Sequence, residues 1–122
     1  MKIIVVDDEP DVQFLFQQRF RREIRKSEIE FKFFLSAEEV IDYLSFDESI
    51  DVVLVLSDIN MPGMSGLELL KIIKEKEPTQ QVFMITAYSD SNNYHTALEY
   101  GADDYLTKPI DFKNLKEKIY SL

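Results

Sequence analysis

Cysteine, histidine and glycine are scarce in this chain. Its 122 residues include no cysteine, one histidine and three glycines. Without cysteine the chain has no disulfide, thiolate nucleophile or sulfur-ligated metal, which is consistent with a reducing compartment. The single histidine, His95, is distant in sequence from the acidic segments and is expected on the surface. Any metal site must therefore use hard oxygen ligands.

Long hydrophobic runs and an excess of positive charge are also missing. The first apolar run, residues 3–6, ends at Asp7 and is too short for a signal peptide or a membrane span. We therefore expect a cytoplasmic protein without membrane contact. The formal net charge of -9 argues against direct binding to nucleic acid and favours cationic or protein partners.

The remaining composition is that of an ordinary folded domain. Hydrophobic residues make up 45% of the chain and charged residues 30%, a balance that supports one buried core. A chain of this length is too short for a second core, and it contains no repeat or low-complexity linker. We predict a single domain over residues 1–122.

Five short apolar runs predict β-strands, at residues 3–6, 29–34, 52–56, 82–85 and 105–106. The first, third and fourth runs are continuous rather than alternating. Continuous apolar strands are typical of parallel sheets that helices cover on both faces.

The segments between the strands have helical spacing. Pro10 can open a first helix, whose apolar stripe is formed by Val12, Leu15, Phe16, Phe20 and Ile24. Ser36 and Glu39 suggest a capping box for a second helix, and a third begins near Ser65 and ends before Pro78. A fourth covers residues 91–100 and is closed by Gly101, and a fifth starts at Asp111. Strands and helices thus alternate five times, which predicts an α/β fold with one doubly wound parallel sheet.

Ligands of such sheets bind beyond the carboxyl ends of the strands, so the residues that follow each strand should share one crevice. These are Asp7, Asp8 and Glu9 after the first strand, Asp58 after the third, Thr86 at the fourth, and Thr107, Lys108 and Pro109 at the fifth. Neighbouring carboxylates repel one another, and a divalent cation relieves that repulsion. Mg²⁺ fits an all-oxygen site, and Mn²⁺ can substitute.

Asp58 stands alone at its strand end, whereas Asp7 and Asp8 form a pair. This division predicts metal ligands at the pair, and at Asp58 a ligand that is also a nucleophile, since carboxylates form aspartyl phosphates. Lys108 and the Thr86 hydroxyl can neutralise and hold phosphoryl oxygens. A loop built on Pro62, Gly63 and Gly66 would shape the backbone so that the Asn60 carbonyl could reach the metal.

Four segments carry a resemblance to a known family. VVDDE at 5–9, SDINMPGMSG at 57–66, ITAY at 85–88 and GADDYLTKP at 101–109 resemble, in order and spacing, the signatures of the response-regulator receiver domain. The resemblance covers essentially the whole chain, with no output domain left over. It implies a flavodoxin-like (βα)5 domain with strand order 2-1-3-4-5. Both a stand-alone receiver and the N-terminal part of a longer regulator fit.

The resemblance also implies roles for individual residues. Asp58 would accept a phosphoryl group from a sensor histidine kinase or a phosphotransfer protein, with Mg²⁺ held by Asp7, Asp8, Asp58 and the Asn60 carbonyl. Thr86 and Lys108 would bind the phosphoryl oxygens, and the Lys108-Pro109 peptide bond would be cis. The domain would be a regulatory phospho-acceptor that catalyses its own phosphorylation and autodephosphorylation, not an enzyme acting on other substrates.

The resemblance further implies that Thr86 and Tyr105 would form a switch pair. It would change the face of predicted helix 4, strand 5 and helix 5 toward an output domain or downstream protein, and a phosphorylation-dependent homodimer is left open. Asn60 and Tyr88, each two residues after a site residue, would tune phosphoryl lifetime. The Tyr88 ring is expected to shield the acyl phosphate from water. Ser57 departs from the family because apolar residues are common at its position.

Two other functions use similar residues. A hydrolase of the haloacid-dehalogenase kind also has a strand-end Asp and Mg²⁺, but its second carboxylate would stand where this chain has Asn60, and it would need a cap domain. A receiver-like module that signals without phosphorylation is the other alternative. The intact set of Asp58, Asp7, Asp8, Thr86 and Lys108 argues against that module.

Overall fold

The computed structural model describes residues 1–44, 51–87 and 91–122 of the chain. The strands are β1 (Lys2–Val6), β2 (Glu30–Phe34), β3 (Val52–Asp58), β4 (Gln81–Thr86) and β5 (Asp104–Thr107). The helices are α1 (Asp11–Arg19), α2 (Arg21–Arg25), α3 (Ala37–Leu44), α4 (Gly66–Lys76), α5 (Ser91–Glu99) and α6 (Phe112–Tyr120). None of the described helices is long and apolar enough to cross a membrane.

The five strands form one parallel sheet in the order β2-β1-β3-β4-β5. This order confirms the predicted doubly wound architecture. The central strands β1, β3 and β4 are almost entirely buried, as their continuous apolar sequences predicted, whereas the edge strands β2 and β5 are only partly covered.

Alternate strand residues face two separate apolar cores, one on each side of the sheet. On one side Ile4 and Val55 pack with residues of α3, α4 and α5, such as Leu70. On the other side Leu54 packs with residues of α1 and α6, such as Phe16. The helices therefore cover both faces, which confirms the prediction.

The predicted first helix is wrong in one respect, because it is two helices that meet at Phe20. Phe20 has φ -105° and ψ 20°, which is outside the helical region and changes the phase of the residues that follow. Its ring stacks on Phe16 at 5.8 Å between centroids, and both side chains are fully buried. Leu15 and Ile24, predicted on the buried stripe, are instead exposed. Predicted helices 4 and 5 consequently correspond to α5 and α6.

The helix ends agree with the capping signals in the sequence. The Ser36 hydroxyl accepts a hydrogen bond from the Glu39 amide at 3.3 Å, and Ser65 and Asp111 cap α4 and α6 through their side chains. Gly101 follows α5 with φ +92°, a conformation that residues with a Cβ rarely adopt. These caps fix where α3, α4 and α6 begin and where α5 ends.

Candidate functional site

Three carboxylates meet at the carboxyl edge of the sheet. Asp58 is the last residue of β3, and Asp7 directly follows β1, whose final residue Val6 pairs with Ser57. One carboxylate oxygen from each of Asp7, Asp8 and Asp58 lies within 4.8 Å of the others. Asp7 and Asp58 are buried, at 6% and 5% exposure, and Asp8 is more accessible. The parallel register thus brings the three carboxylates together in an acidic pocket at one edge of the sheet.

Lys108 brings a positive charge to these carboxylates. Its Nζ donates to Oδ2 of Asp7 at 3.2 Å and to Oδ2 of Asp58 at 3.3 Å. Its backbone amide donates to the Thr86 carbonyl at 2.8 Å, which fixes the start of the loop after β5. The next peptide bond, Lys108-Pro109, is cis. The lysine therefore lies between two of the three acidic groups.

The electrostatics of the pocket are set by burial and by repulsion. Burial raises the pKa of Asp58 from its ordinary value, and the neighbouring charge of Asp7 raises it further. Lys108 and a hydrogen bond from the Asn60 backbone amide oppose that rise. Burial lowers the pKa of Lys108, but the combined attraction and hydrogen bonds of Asp58 and Asp7 give a net rise. Negative charge at Asp58 is thus only partly compensated.

Thr86 adds an unsatisfied hydroxyl to the same edge. It is the last residue of β4, and it is fully buried. Its Oγ1 has no hydrogen-bond partner among the described residues. Because a buried hydroxyl without a partner is costly, this atom is well suited to a ligand oxygen that enters the pocket.

The loop after Asp58 is closed tightly at its base. The Gly66 amide donates to the Ile59 carbonyl at 2.9 Å, so residues 60–65 form the loop. A Cβ placed on Gly66 would lie 1.9 Å from the carbonyl oxygen of Asp58, which explains why this position holds glycine. Ser57, the departure from the family pattern, is fully buried, and its hydroxyl donates to the same Asp58 carbonyl at 3.0 Å.

Tyr105 lies on β5 and is partly buried. Its ring packs edge-to-face against Tyr94 of α5, with 5.0 Å between the ring centroids. Tyr94 was not among the predicted site residues. Its helical position and 41% exposure give no local signal, and the contact depends on how α5 docks beside β5. Tyr88 lies outside the described residues, whereas His95 is exposed as expected.

The donor set suits a hard divalent cation. All candidate ligand atoms in the pocket are oxygens, and one lysine shares its positive charge between two buried carboxylates. Asp7, Asp8 and Asp58 are the side chains that would hold Mg²⁺, because carboxylates and waters are its preferred ligands. The fold and the pocket together define a doubly wound domain with an acidic, lysine-containing site at a strand-end crevice.

Residues 3–120 match the family profile described as the response regulator receiver domain. The chain therefore belongs to the receiver domains of two-component signalling. A curated relative, the DNA-binding transcriptional regulator NtrC of Proteus hauseri, is 42% identical over 107 residues, covering 88% of this chain and 21% of NtrC. The chain spans between a fifth and a quarter of the length of several curated relatives that it matches.

Solved structures show the same fold. A receiver domain protein from Clostridium thermocellum has a TM-score of 0.85 and 27% identity, over 98% of this chain and 91% of that chain. The response regulator protein TrrA of Thermotoga maritima, solved in complex with Mg²⁺-BeF, has a TM-score of 0.79 and 32% identity. That match covers 98% of this chain and 96% of TrrA.

Proposed function

We propose that Asp58 accepts a phosphoryl group from the phosphohistidine of a sensor histidine kinase or phosphotransfer protein, in a reaction that requires Mg²⁺. The observation that carries this proposal is the meeting of three carboxylates within 4.8 Å beside Lys108. The unpartnered hydroxyl of Thr86 at the same edge supports it. The TrrA structure, with Mg²⁺-BeF bound to a related protein, supports the choice of metal.

In the proposed transfer, an Oδ atom of Asp58 attacks phosphorus while the phosphorus–nitrogen bond to the donor histidine breaks. The imidazole leaves with the bonding electron pair and takes up a proton. Mg²⁺, when bound, neutralises charge on the transferred oxygens. Lys108 would neutralise the same charge, and Thr86 would donate a hydrogen bond to a phosphoryl oxygen. Water then attacks the phosphorus atom, the bond between phosphorus and the Asp58 oxygen breaks, and inorganic phosphate leaves, which restores the Asp58 carboxylate.

Phosphorylation would change the conformation of the sheet edge next to the pocket. When the Thr86 hydroxyl turns toward the phosphoryl group, space opens beside β4 for the Tyr105 ring to move inward. Because that ring packs on Tyr94, its movement changes the surface formed by α5, β5 and α6. This surface is the proposed contact for an output domain, a downstream protein or a second copy. Asn60, with an exposed side chain beside the pocket, is proposed to tune phosphoryl lifetime.

Intact mass spectrometry after incubation with acetyl phosphate tests the acceptor. The parent, Asp58→Asn and Asp42→Asn are compared with Mg²⁺ and with excess EDTA. Asp42 is an exposed carboxylate on α3 and serves as the matched control. In the presence of Mg²⁺, we expect one added phosphoryl group on the parent and on Asp42→Asn and none on Asp58→Asn. With excess EDTA, we expect none on any of the three proteins. An unmodified parent that still folds would favour a module that signals without phosphorylation.

A further inference from the structure

Glu38 makes a hydrogen bond that joins α3 to the loop after Asp58. It lies in the first turn of α3, and its Oε2 accepts from the Met64 amide at 3.1 Å. The two residues are 26 positions apart in sequence. The bond is therefore a tertiary contact to the loop and not part of the cap of α3.

The neighbouring Glu39 already fills the capping role. Its Oε2 accepts from the Ser36 hydroxyl at 3.0 Å and from the Leu35 amide at 3.2 Å. Glu38 therefore contributes nothing further to the capping box, and its carboxylate extends away from its own helix to the loop. Adjacent glutamates in one helical turn thus have different partners, one local and one distant.

Besides this hydrogen bond, the loop is held at its base and by its methionines, since the partly buried Met64 packs against the core cluster that contains Val40 of α3. Its base is closed by the amide of Gly66, and Met61 is buried in the core at 8% exposure. In the middle of the loop, Gly63 has φ +76°, and a Cβ placed there would lie 2.8 Å from Oε2 of Glu38. The carboxylate thus lies directly against the backbone of residues 63 and 64.

We propose that Glu38 is a positioning residue for phosphoryl transfer, which holds the loop so that the Asn60 backbone stays directed at the pocket. Asn60 begins this loop, and its amide donates to the Asp58 carboxylate. Loss of this hydrogen bond leaves the loop held at its base and by the packing of the Met61 and Met64 side chains. The inference rests on the proposed phospho-acceptor function, which supplies the reaction that this loop serves.

Three variants separate a hydrogen-bonding role from a change of charge. Glu38→Ala removes the acceptor, Glu38→Gln keeps an acceptor oxygen but removes the charge, and Asp42→Ala removes a carboxylate from the same helix. For each, hydrogen exchange of the Met64 amide is measured by NMR without metal, as a readout of the loop itself. The rate of phosphorylation by acetyl phosphate is measured across a range of Mg²⁺ concentrations.

We expect Glu38→Ala to speed Met64 exchange about fivefold, as for the loss of one hydrogen bond. Phosphorylation at saturating acetyl phosphate is expected to slow about tenfold, the usual effect of a lost supporting contact around a metal site. Glu38→Gln should retain most of both properties, and Asp42→Ala should match the parent. Thermal unfolding of each variant is measured to verify that it is folded at the assay temperature.

Two results would overturn the role of Glu38. One is a Glu38→Ala protein with parental exchange and a parental rate. The other is a Glu38→Gln protein that is phosphorylated as slowly as Glu38→Ala although its Met64 amide stays protected from exchange. The charge of Glu38, and not its hydrogen bond, would then be responsible for the phosphorylation rate. A parent that takes up no phosphoryl group would instead overturn the proposed function, so the two failures are distinguishable.

Discussion

The Nζ atom of Lys108 lies 3.3 Å from Oδ2 of Asp58. The same ammonium group also contacts Asp7, so one positive charge serves two buried carboxylates. This leaves the pocket short of positive charge in the absence of metal. In the proposed reaction, a bound cation would satisfy the carboxylates, and the lysine would remain to hold the anionic phosphoryl group.

Lys108→Ala should slow phosphorylation of Asp58 by acetyl phosphate about 100-fold, because one donor to the developing charge is removed. The expected effect is on the rate at saturating phosphodonor and Mg²⁺, measured by intact mass against time. Lys113→Ala is the matched control, since Lys113 is exposed on α6 and should leave the rate unchanged. An equal rate in Lys108→Ala and the parent would contradict the assigned contact.

Asp58 should make the stability of the metal-free protein depend on pH. Its pKa is raised above 3.8 in the folded state, so the folded protein keeps this proton at pH values where the unfolded chain has lost it. As pH rises above 3.8, the folded state therefore loses relative stability. Asp58→Asn, which cannot ionise, should have a Tm on the order of 3 °C above the parent at pH 7, without metal.

The difference in Tm should shrink as pH falls toward 3.8, and it should also shrink when Mg²⁺ is added to the parent at pH 7. Circular dichroism at several pH values measures both. Asp42→Asn controls for loss of a carboxylate elsewhere. A gain in Asp58→Asn that stays constant from pH 4 to pH 7 would show that burial and Asp7 do not act on this group as described.

Much of the fold could be predicted because it depends on local sequence. Continuous apolar strands, capping residues such as Ser65 and the glycine at 101 are local signals, and each corresponds to an observed element. The strand-end positions of Asp58 and Thr86 followed from the parallel pattern and the rule that ligands bind at carboxyl ends. The strand order came from the family resemblance.

Contacts between distant segments could not be predicted in this way. The break at Phe20 arises because its ring fills a cluster with Phe31 and Phe112, which are remote in sequence. The burial of Glu23 depends likewise on Lys116 of α6, whose Nζ lies 3.3 Å from Oε2 of Glu23. Helical spacing alone therefore placed Ile24, and not Glu23, on the buried side.

Thr86→Val should stabilise the unphosphorylated protein while impairing the site. Valine keeps the β-branched shape but removes a buried hydroxyl that has no partner among the described residues. Its removal should raise the free energy of unfolding by about 1 kcal/mol. Urea denaturation measures this gain, and the acetyl phosphate assay should show slower phosphorylation. Thr107→Val, at an exposed position, should change stability little. A less stable Thr86→Val would show that the hydroxyl is satisfied in the folded protein.

Gly66→Ala tests whether the end of β3 and the loop that follows it tolerate a side chain at the point where Gly66 approaches Asp58. The added Cβ would lie 1.9 Å from the Asp58 carbonyl oxygen and 2.8 Å from its carbon, so the backbone must shift. We expect a loss of roughly 3 kcal/mol in the free energy of unfolding, measured in urea. Gly101→Ala is the comparison, because its Cβ would have ordinary contacts and only φ +92° is unfavourable there, which costs about 1 kcal/mol. Equal losses in the two variants would mean that the backbone shift at Gly66 costs no more than the unfavourable φ at Gly101.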